Sequence, residues 1–158
     1  MVAESLSCLP IRTIISSDLV RARQTTSIVA NKLGLAWDED AEARERAFGA
    51  AEGGPLGALG PEWSGIRDGR VVDPTARPPG GESLHDFSQR VGSFFERLAQ
   101  RGTKGDVLVV THGGVIRVAM AKCDRVPVAE MSWGPVPNAG LWSVGMHEVV
   151  LSPLLSRN

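Results

Sequence analysis

The chain is constrained most by residues 106–111, Asp-Val-Leu-Val-Val-Thr, a run with no polar interruption that leads into His112-Gly113-Gly114. Its apolar residues do not alternate with polar ones, which predicts a strand buried on both faces. Such a strand needs helices above and below its sheet, so the run implies a layered α/β domain. Residues 115–121, Val-Ile-Arg-Val-Ala-Met-Ala, supply a helix directly after it. A second segment has the same plan. Ile11–Ser16 is β-branched and reads as a strand. Ser17-Asp18 reads as the start of a helix, with a capping hydroxyl and an acid in the first turn. Leu19, Ala22, Ile28, Val29 and Leu33 give that helix its apolar stripe, Thr25 fills a narrow point, and Gly34 is placed to end it.

Between these segments the signals vary in strength. A short strand is expected around Ala36-Trp37. Residues 65–81 carry Pro74, Pro78, Pro79 and Gly80-Gly81 and read as one long loop, a kind of segment that often carries function. The clearest helix starts at Ser83, where Asp86 completes a capping-box pattern, and Leu84, Phe87, Val91, Phe94, Phe95 and Leu98 fall on one face. Residues 139–144 and 147–151 read as two closing strands about a turn at Gly145. No repeat and no linker divides the 158 residues, so a single domain over 1–158 is expected.

Charge narrows the partners. The 17 basic and 18 acidic side chains leave a net charge of -1, which gives no global field for nucleic acid or an anionic membrane. Any anion site must be local. No apolar run approaches the roughly 18 residues of a membrane span, and the first residues lack the pattern of a signal peptide. Cys8 and Cys123 form no CxxC pair and read as reduced thiols of a cytoplasmic protein, with no metal and no cofactor implied.

The two strand–turn–helix junctions are where an anion would bind. Strand ends and helix N-termini form the ligand crevice of parallel α/β sheets. Arg21 lies one turn into its helix and leans back over the crevice, while His112 sits at a strand tip beside glycines that admit close approach. Together they suit a phosphate. Taken singly, Arg21 reads as a solvated helix charge, His112 as a core histidine, Glu45 and Glu82 as surface acids, and Ser83 as a cap.

In order along the chain, five segments resemble the histidine phosphatase superfamily, also called phosphoglycerate mutase-like. They are Ser16-Ser17-Asp18-Leu19-Val20-Arg21-Ala22-Arg23-Gln24-Thr25, Ala43-Arg44-Glu45-Arg46-Ala47-Phe48-Gly49, Pro79-Gly80-Gly81-Glu82-Ser83-Leu84, residues 108–117 around His112, and Pro137-Asn138-Ala139. The resemblance implies a three-layer α/β/α fold with a mostly parallel sheet, and a small phosphorylated metabolite as substrate. It implies that Arg21, His112 and Gly113 hold the phosphoryl group and that Glu45, with His112, serves the chemistry, Glu45 as the general acid. The Pro-Gly-Gly-Glu-Ser lead is closer to broad bacterial phosphatases, such as alpha-ribazole and phosphosugar phosphatases, than to mutases. Between Ala47 and Pro79 only Arg67, Arg70 and Arg77 are available for the second phosphate that a mutase must hold.

One departure stands out. The family's first strand carries an Arg-His-Gly motif whose histidine becomes phosphorylated, and no Arg-His-Gly occurs here. The histidines are His85, His112 and His147. The chain thus reads as lacking the nucleophile-bearing first strand and as starting a few dozen residues late. A misplaced gene start, a separate chain carrying the segment, and a degenerate relative all fit. Two function readings follow: a phosphoric monoester hydrolase that needs the absent segment, or a pseudophosphatase that binds a phosphorylated ligand or partner without turnover. A generic nucleotide binder resting on Gly53, Gly54, Gly57 and Gly60 lacks the required strand before it. The missing strand would leave the strand at 106–111 with an open edge. Residues 139–144 are expected to close against it, or a homodimer or strand exchange to cover it.

Overall fold

The computed structural model describes residues 5–54, 59–101 and 105–144, with the backbone of 152–153. In chain order its elements are β1 (Ile11–Ser16), α1 (Val20–Leu33), β2 (Trp37–Glu39), α2 (Pro61–Ser64), β3 (Ile66–Arg67), β4 (Arg70–Val71), α3 (Leu84–Gln100), β5 (Asp106–Val110), α4 (Gly113–Cys123), β6 (Trp142–Ser143) and β7 (Ser152–Pro153). β1 lies between β2 and β5 and is parallel to both.

The apolar run at 106–110 has the two-sided setting its pattern predicts. Leu108 and Val110 pack with Leu6, Ile11, Ile14, Val29 and Ala30, on the face covered by α1. Val107 and Val109 pack with Ile15, Ala43, Phe94 and Leu98, on the face covered by α3. A third cluster, with Leu84, Phe87, Val91, Val115, Val118 and Met131, joins α3 to α4. The result is a three-layer α/β/α arrangement with a parallel sheet. Among the described residues no helix is long and apolar enough to cross a membrane.

Several local expectations need correction. α1 starts later than Ser17-Asp18 suggests: its N-cap is Leu19, with no side-chain cap and no acid in the first turn. Ser17 instead extends β1, its N–H donating to the Val110 carbonyl, while its hydroxyl accepts from the Leu19 N–H. The buried face of α1 carries Ala22, Thr26, Val29 and Ala30. Ile28 is 69% exposed. Thr26 takes the inner position because its hydroxyl finds partners there, donating to Ser16 Oγ and lying 2.9 Å from the Ala22 carbonyl. Gly34 ends the helix in the left-handed conformation as expected, and Ser83 with Asp86 forms a full capping box.

The segment read as one long loop contains the short helix α2 and the hairpin β3–β4. Asp68-Gly69 turns that hairpin with both residues at positive φ, the geometry that favours this dipeptide in tight hairpins. Residues 139–144 do not close against β5. Trp142–Ser143 pairs antiparallel with Ser152–Pro153, and among the described residues β5 has no neighbour on its second edge. The expected strand at 147–151 and the turn at Gly145 lie outside the described residues.

Two substitutions separate the buried from the exposed apolar positions. Phe87 is fully buried, so Phe87→Ala should cost about 3–5 kcal/mol in urea unfolding. Ile28→Ala, on an exposed face, should stay within about 0.5 kcal/mol of wild type.

Candidate functional site

β1 and β5 end side by side, and the two chain segments leaving them build the site. His112 follows β5 as the N-cap of α4, in extended backbone conformation. Only 8% of it is exposed. Arg21 Nε donates to His112 Nδ1 at 3.2 Å, and His112 Nε2 lies 2.8 Å from Ser17 Oγ. A guanidinium can only donate, so Nδ1 must be the acceptor and Nε2 carries the proton, which it gives to Ser17 Oγ. The ring is therefore neutral with both nitrogens engaged. Burial, reinforced by the Arg21 charge and opposed by Asp18, pulls its pKa down to about 4.

Glu45 meets the same helix end. Its Oε2 accepts from the Gly114 N–H and its Oε1 from the Arg46 N–H, both at 2.9 Å. The carboxylate presses so close to Gly114 that a Cβ there would collide with Oε1. Glycine at 114 thus lets the Glu45 carboxylate rest against the helix end, and a side chain there would push it aside. The Gly113 N–H, one residue earlier, has no acceptor among the described residues, as is usual for the first helical amides. Asp18, in the turn between β1 and α1, is bound two-pronged by Arg44. Hydrogen bonding to Arg44 holds the Asp18 carboxyl below its usual range.

The loop bearing Glu45 is fixed from behind by two arginines. Arg46, 1% exposed, donates to the carbonyls of Glu82, Ser64, Trp63 and Ala76. Arg90 binds both oxygens of Glu82 at 2.7 Å and also donates to the carbonyls of Glu42, Arg44 and Glu45. Burial pushes the Glu82 carboxyl up, but hydrogen bonds from Arg90 and the Ala47 N–H outweigh it and hold it below its usual range. Gly49, at φ 52, lets the loop lie against Pro79 and Gly81, where a side chain would strike the main chain.

The structure thus gathers Arg21, His112, Gly113 and Glu45 around one helix N-terminus. His85 is exposed beside Gln89, and His147 lies outside the described residues. Glu82 is no free surface acid but is half-buried and paired with Arg90. The partnership of Ser17 with His112, and the clamps made by Arg46 and Arg90, had no signal in local pattern. Only the spatial neighbourhood reveals them.

These segments match a known family along nearly the whole chain. The sequence profile of the Histidine phosphatase superfamily (branch 1) covers residues 1–152. The chain belongs to this superfamily. It is 34% identical over 115 residues to the probable phosphoglycerate mutase GpmB of Yersinia pestis and of Yersinia pseudotuberculosis, a match covering 72% of this chain and 53% of theirs. The chain therefore spans about half the length of these curated relatives. Among solved structures it is similar to TTHB049 from Thermus thermophilus, with a TM-score of 0.68 and 31% identity over 98% of this chain and 80% of that one. The phosphoglycerate mutase from the same organism gives a TM-score of 0.66 and 30% identity, covering 99% of this chain and 80% of that one. A mycobacterial glucosyl-3-phosphoglycerate phosphatase bound to inorganic phosphate gives 0.66 and 30%, covering 81% and 66%.

Three outcomes are expected of the site as a folded unit. As pH falls, the unfolded chain takes up the His112 proton near 6.5, whereas the folded ring resists to about 4. Stability from this group is full above about 6.5 and is lost from there down to about 4, by at most roughly 3 kcal/mol. The slope of unfolding free energy against pH in that window should flatten in His112→Asn. Gly114→Ala should push the Glu45 carboxylate off the residue 114 N–H yet change stability in chemical denaturation by no more than about 1 kcal/mol, because the helix preference for alanine offsets the lost hydrogen bond. Arg46→Lys keeps the charge but cannot reach four carbonyls, and should destabilise by at least about 2 kcal/mol in the same assay.

Proposed function

We propose that this chain carries the phosphate-holding part of a phosphomonoesterase-type site and binds a small phosphorylated metabolite there. Among the described residues Arg21 supplies a guanidinium whose terminal nitrogens face no acid, Gly113 an amide without an acceptor, and His112 a ring held in a fixed orientation. Glu45 serves as the proton donor to the leaving alcohol. To do so it must take up a proton and give up its hold on the Gly114 N–H, which an incoming phosphate can accept instead. Within the family, hydrolysis runs through a phosphohistidine. Phosphoryl transfer depends on in-line positioning and preorganised charge.

The observation that carries the reading is the Arg21–His112–Ser17 chain of hydrogen bonds. It speaks against a nucleophilic role for His112, since neither ring nitrogen is free to attack phosphorus; to hold a phosphoryl oxygen the Nε2–H turns from Ser17 Oγ to the ligand. On these residues alone, turnover is negligible. The same observation supports the second reading, a pseudophosphatase that binds without turnover. A hydrolase is favoured over a mutase because Arg77, a candidate for a second phosphate, is paired with Asp86. The free cysteines Cys8 and Cys123 support a cytoplasmic setting. The open edge of β5 supports a strand supplied by another copy of the chain, as homodimer or exchange.

The test measures orthovanadate binding by calorimetry and p-nitrophenyl phosphate turnover by absorbance. Wild type should bind vanadate and turn over no ester, and Arg21→Ala should weaken binding at least tenfold. Turnover that appears only when an Arg-His-Gly segment is added in trans supports the hydrolase reading; none even then supports the pseudophosphatase. Robust turnover by the chain itself, abolished in His112→Ala with acid-labile phosphate on His112, would overturn both.

A further inference from the structure

A neutral imidazole can gain a proton at one nitrogen only. In His112 that nitrogen is Nδ1, and it is covered by a cation, since Arg21 Nε donates to it at 3.2 Å. The other nitrogen, Nε2, spends its proton on Ser17 Oγ at 2.8 Å. Ser17 is fully buried and also accepts the Leu19 N–H, so the ring's second partner is fixed in place. Burial first, and then the Arg21 charge, act against a charged ring.

The other charged groups of this crevice come from the segments packed around it. The turn before α1 brings Asp18, the acid that favours a charged ring. Asp18 is tied to Arg44, on the segment that follows β2. Beside Arg44, Glu45 reaches the Gly114 N–H, two residues along from His112. α4 itself adds Arg117, whose Nη1 comes within 3.4 Å of where a Cβ on Gly113 would sit. The cation in contact with the ring is Arg21, and the same guanidinium is the one an anion in this crevice would engage. Its two duties compete.

Building on the phosphate reading of this crevice, we propose that anion binding draws Arg21 off His112 and that the ring then takes up one proton at Nδ1, so that ligand affinity is coupled to pH. The proton comes from solvent. Two changes act together. Uncovering Nδ1 removes the donor that excludes a proton, and a dianion beside the ring offsets the repelling field of the arginine. The empty site is a neutral, self-satisfied arrangement that an anion must open. By linkage, the protonated ring binds the anion more tightly. Affinity therefore rises as pH falls below the midpoint of the liganded ring, and levels off near about 4, where the empty ring also protonates.

Nitrogen-15 NMR of the whole chain tests this, following the His112 ring through a pH titration with and without sodium sulfate. Sulfate carries no titratable proton in this range, so any proton taken up goes to the protein. In saturating sulfate the His112 midpoint should rise by at least about one pH unit, equivalent to tenfold tighter binding by the charged ring. Sodium chloride of equal ionic strength should leave it in place, and exposed His85 should titrate alike in both salts. Because the ring itself is read, a proton taken up by Glu45 does not imitate the result. In Arg21→Gln the ring loses its cover, so without sulfate its midpoint should already lie above that of wild type, and sulfate should move it less. A wild-type midpoint unmoved by sulfate while the Gly113 and Gly114 amide signals respond overturns the proposal and leaves the phosphate reading standing. So does a midpoint in Arg21→Gln equal to that of unliganded wild type. Amide signals of Gly113 and Gly114 that ignore sulfate overturn both.

Discussion

The site rests on a positive charge that never touches a ligand. Arg46 follows Glu45 directly, and its guanidinium is sealed among four carbonyls drawn from residues 63, 64, 76 and 82. Those carbonyls belong to the excursion between Gly49 and α3, a stretch with little sheet or helix of its own. Buried carbonyls without donors are costly, and a buried guanidinium without acceptors is costlier. Each cancels the other's penalty only in one arrangement, so a chain segment short of regular structure is held in a single shape. That shape sets where the Glu45 carboxylate arrives. Arg90 repeats the device from α3, using Glu82 as counter-ion and the carbonyls of Glu42, Arg44 and Glu45 in the segment that carries the carboxylate itself.

Electrostatics divides the surrounding arginines into two kinds. Those bound to carboxylates or carbonyls hold the scaffold. Among the described residues Arg21 and Arg117 have no acceptor for their terminal nitrogens, and they lie at the helix end where Gly113 exposes its amide. Asp18, which would repel an anion there, is neutralised by Arg44. Among the described residues the crevice then sets Arg21, Arg117 and the Gly113 N–H against one carboxylate, that of Glu45. Charge balance over the whole chain hides this asymmetry, because scaffold pairs and site donors are counted alike.

Much of the fold was legible because its signals are periodic and local. The uninterrupted 106–110 run, the six-residue face of α3 and the Ser83–Asp86 cap each carry their own physical reason. Arg21, His112, Gly113 and Glu45 were legible through family resemblance and strand-end logic, and the structure gathers them. What failed were choices decided by tertiary partners. Ser17 looks like a helix cap, yet the Val110 carbonyl draws it into the sheet. Thr26 rather than Thr25 takes the narrow inner position because the Ser16 hydroxyl meets it there, and Ile28 faces out. The prolines of 74–79 masked the Asp68-Gly69 hairpin signal. Glu82 looked solvated because its partner is eight residues away on a helix face whose neighbours only the fold reveals.

The order of pairing in the sheet also governs how the molecule comes together in time. β1 finds β2 across a single helix, whereas the contact between Ser17 and His112 closes 95 residues of chain. The longer loop is roughly fourfold larger and costs about 1 kcal/mol more to close in simple chain statistics. Loop closure therefore favours the β1–α1–β2 unit forming before β5 docks against it. The anion crevice comes into being only with that late docking, since one of its walls leaves each strand. Any ligand bound there gains nothing from the earlier, partly folded chain, and its full binding free energy pulls on the last and longest closure of the fold.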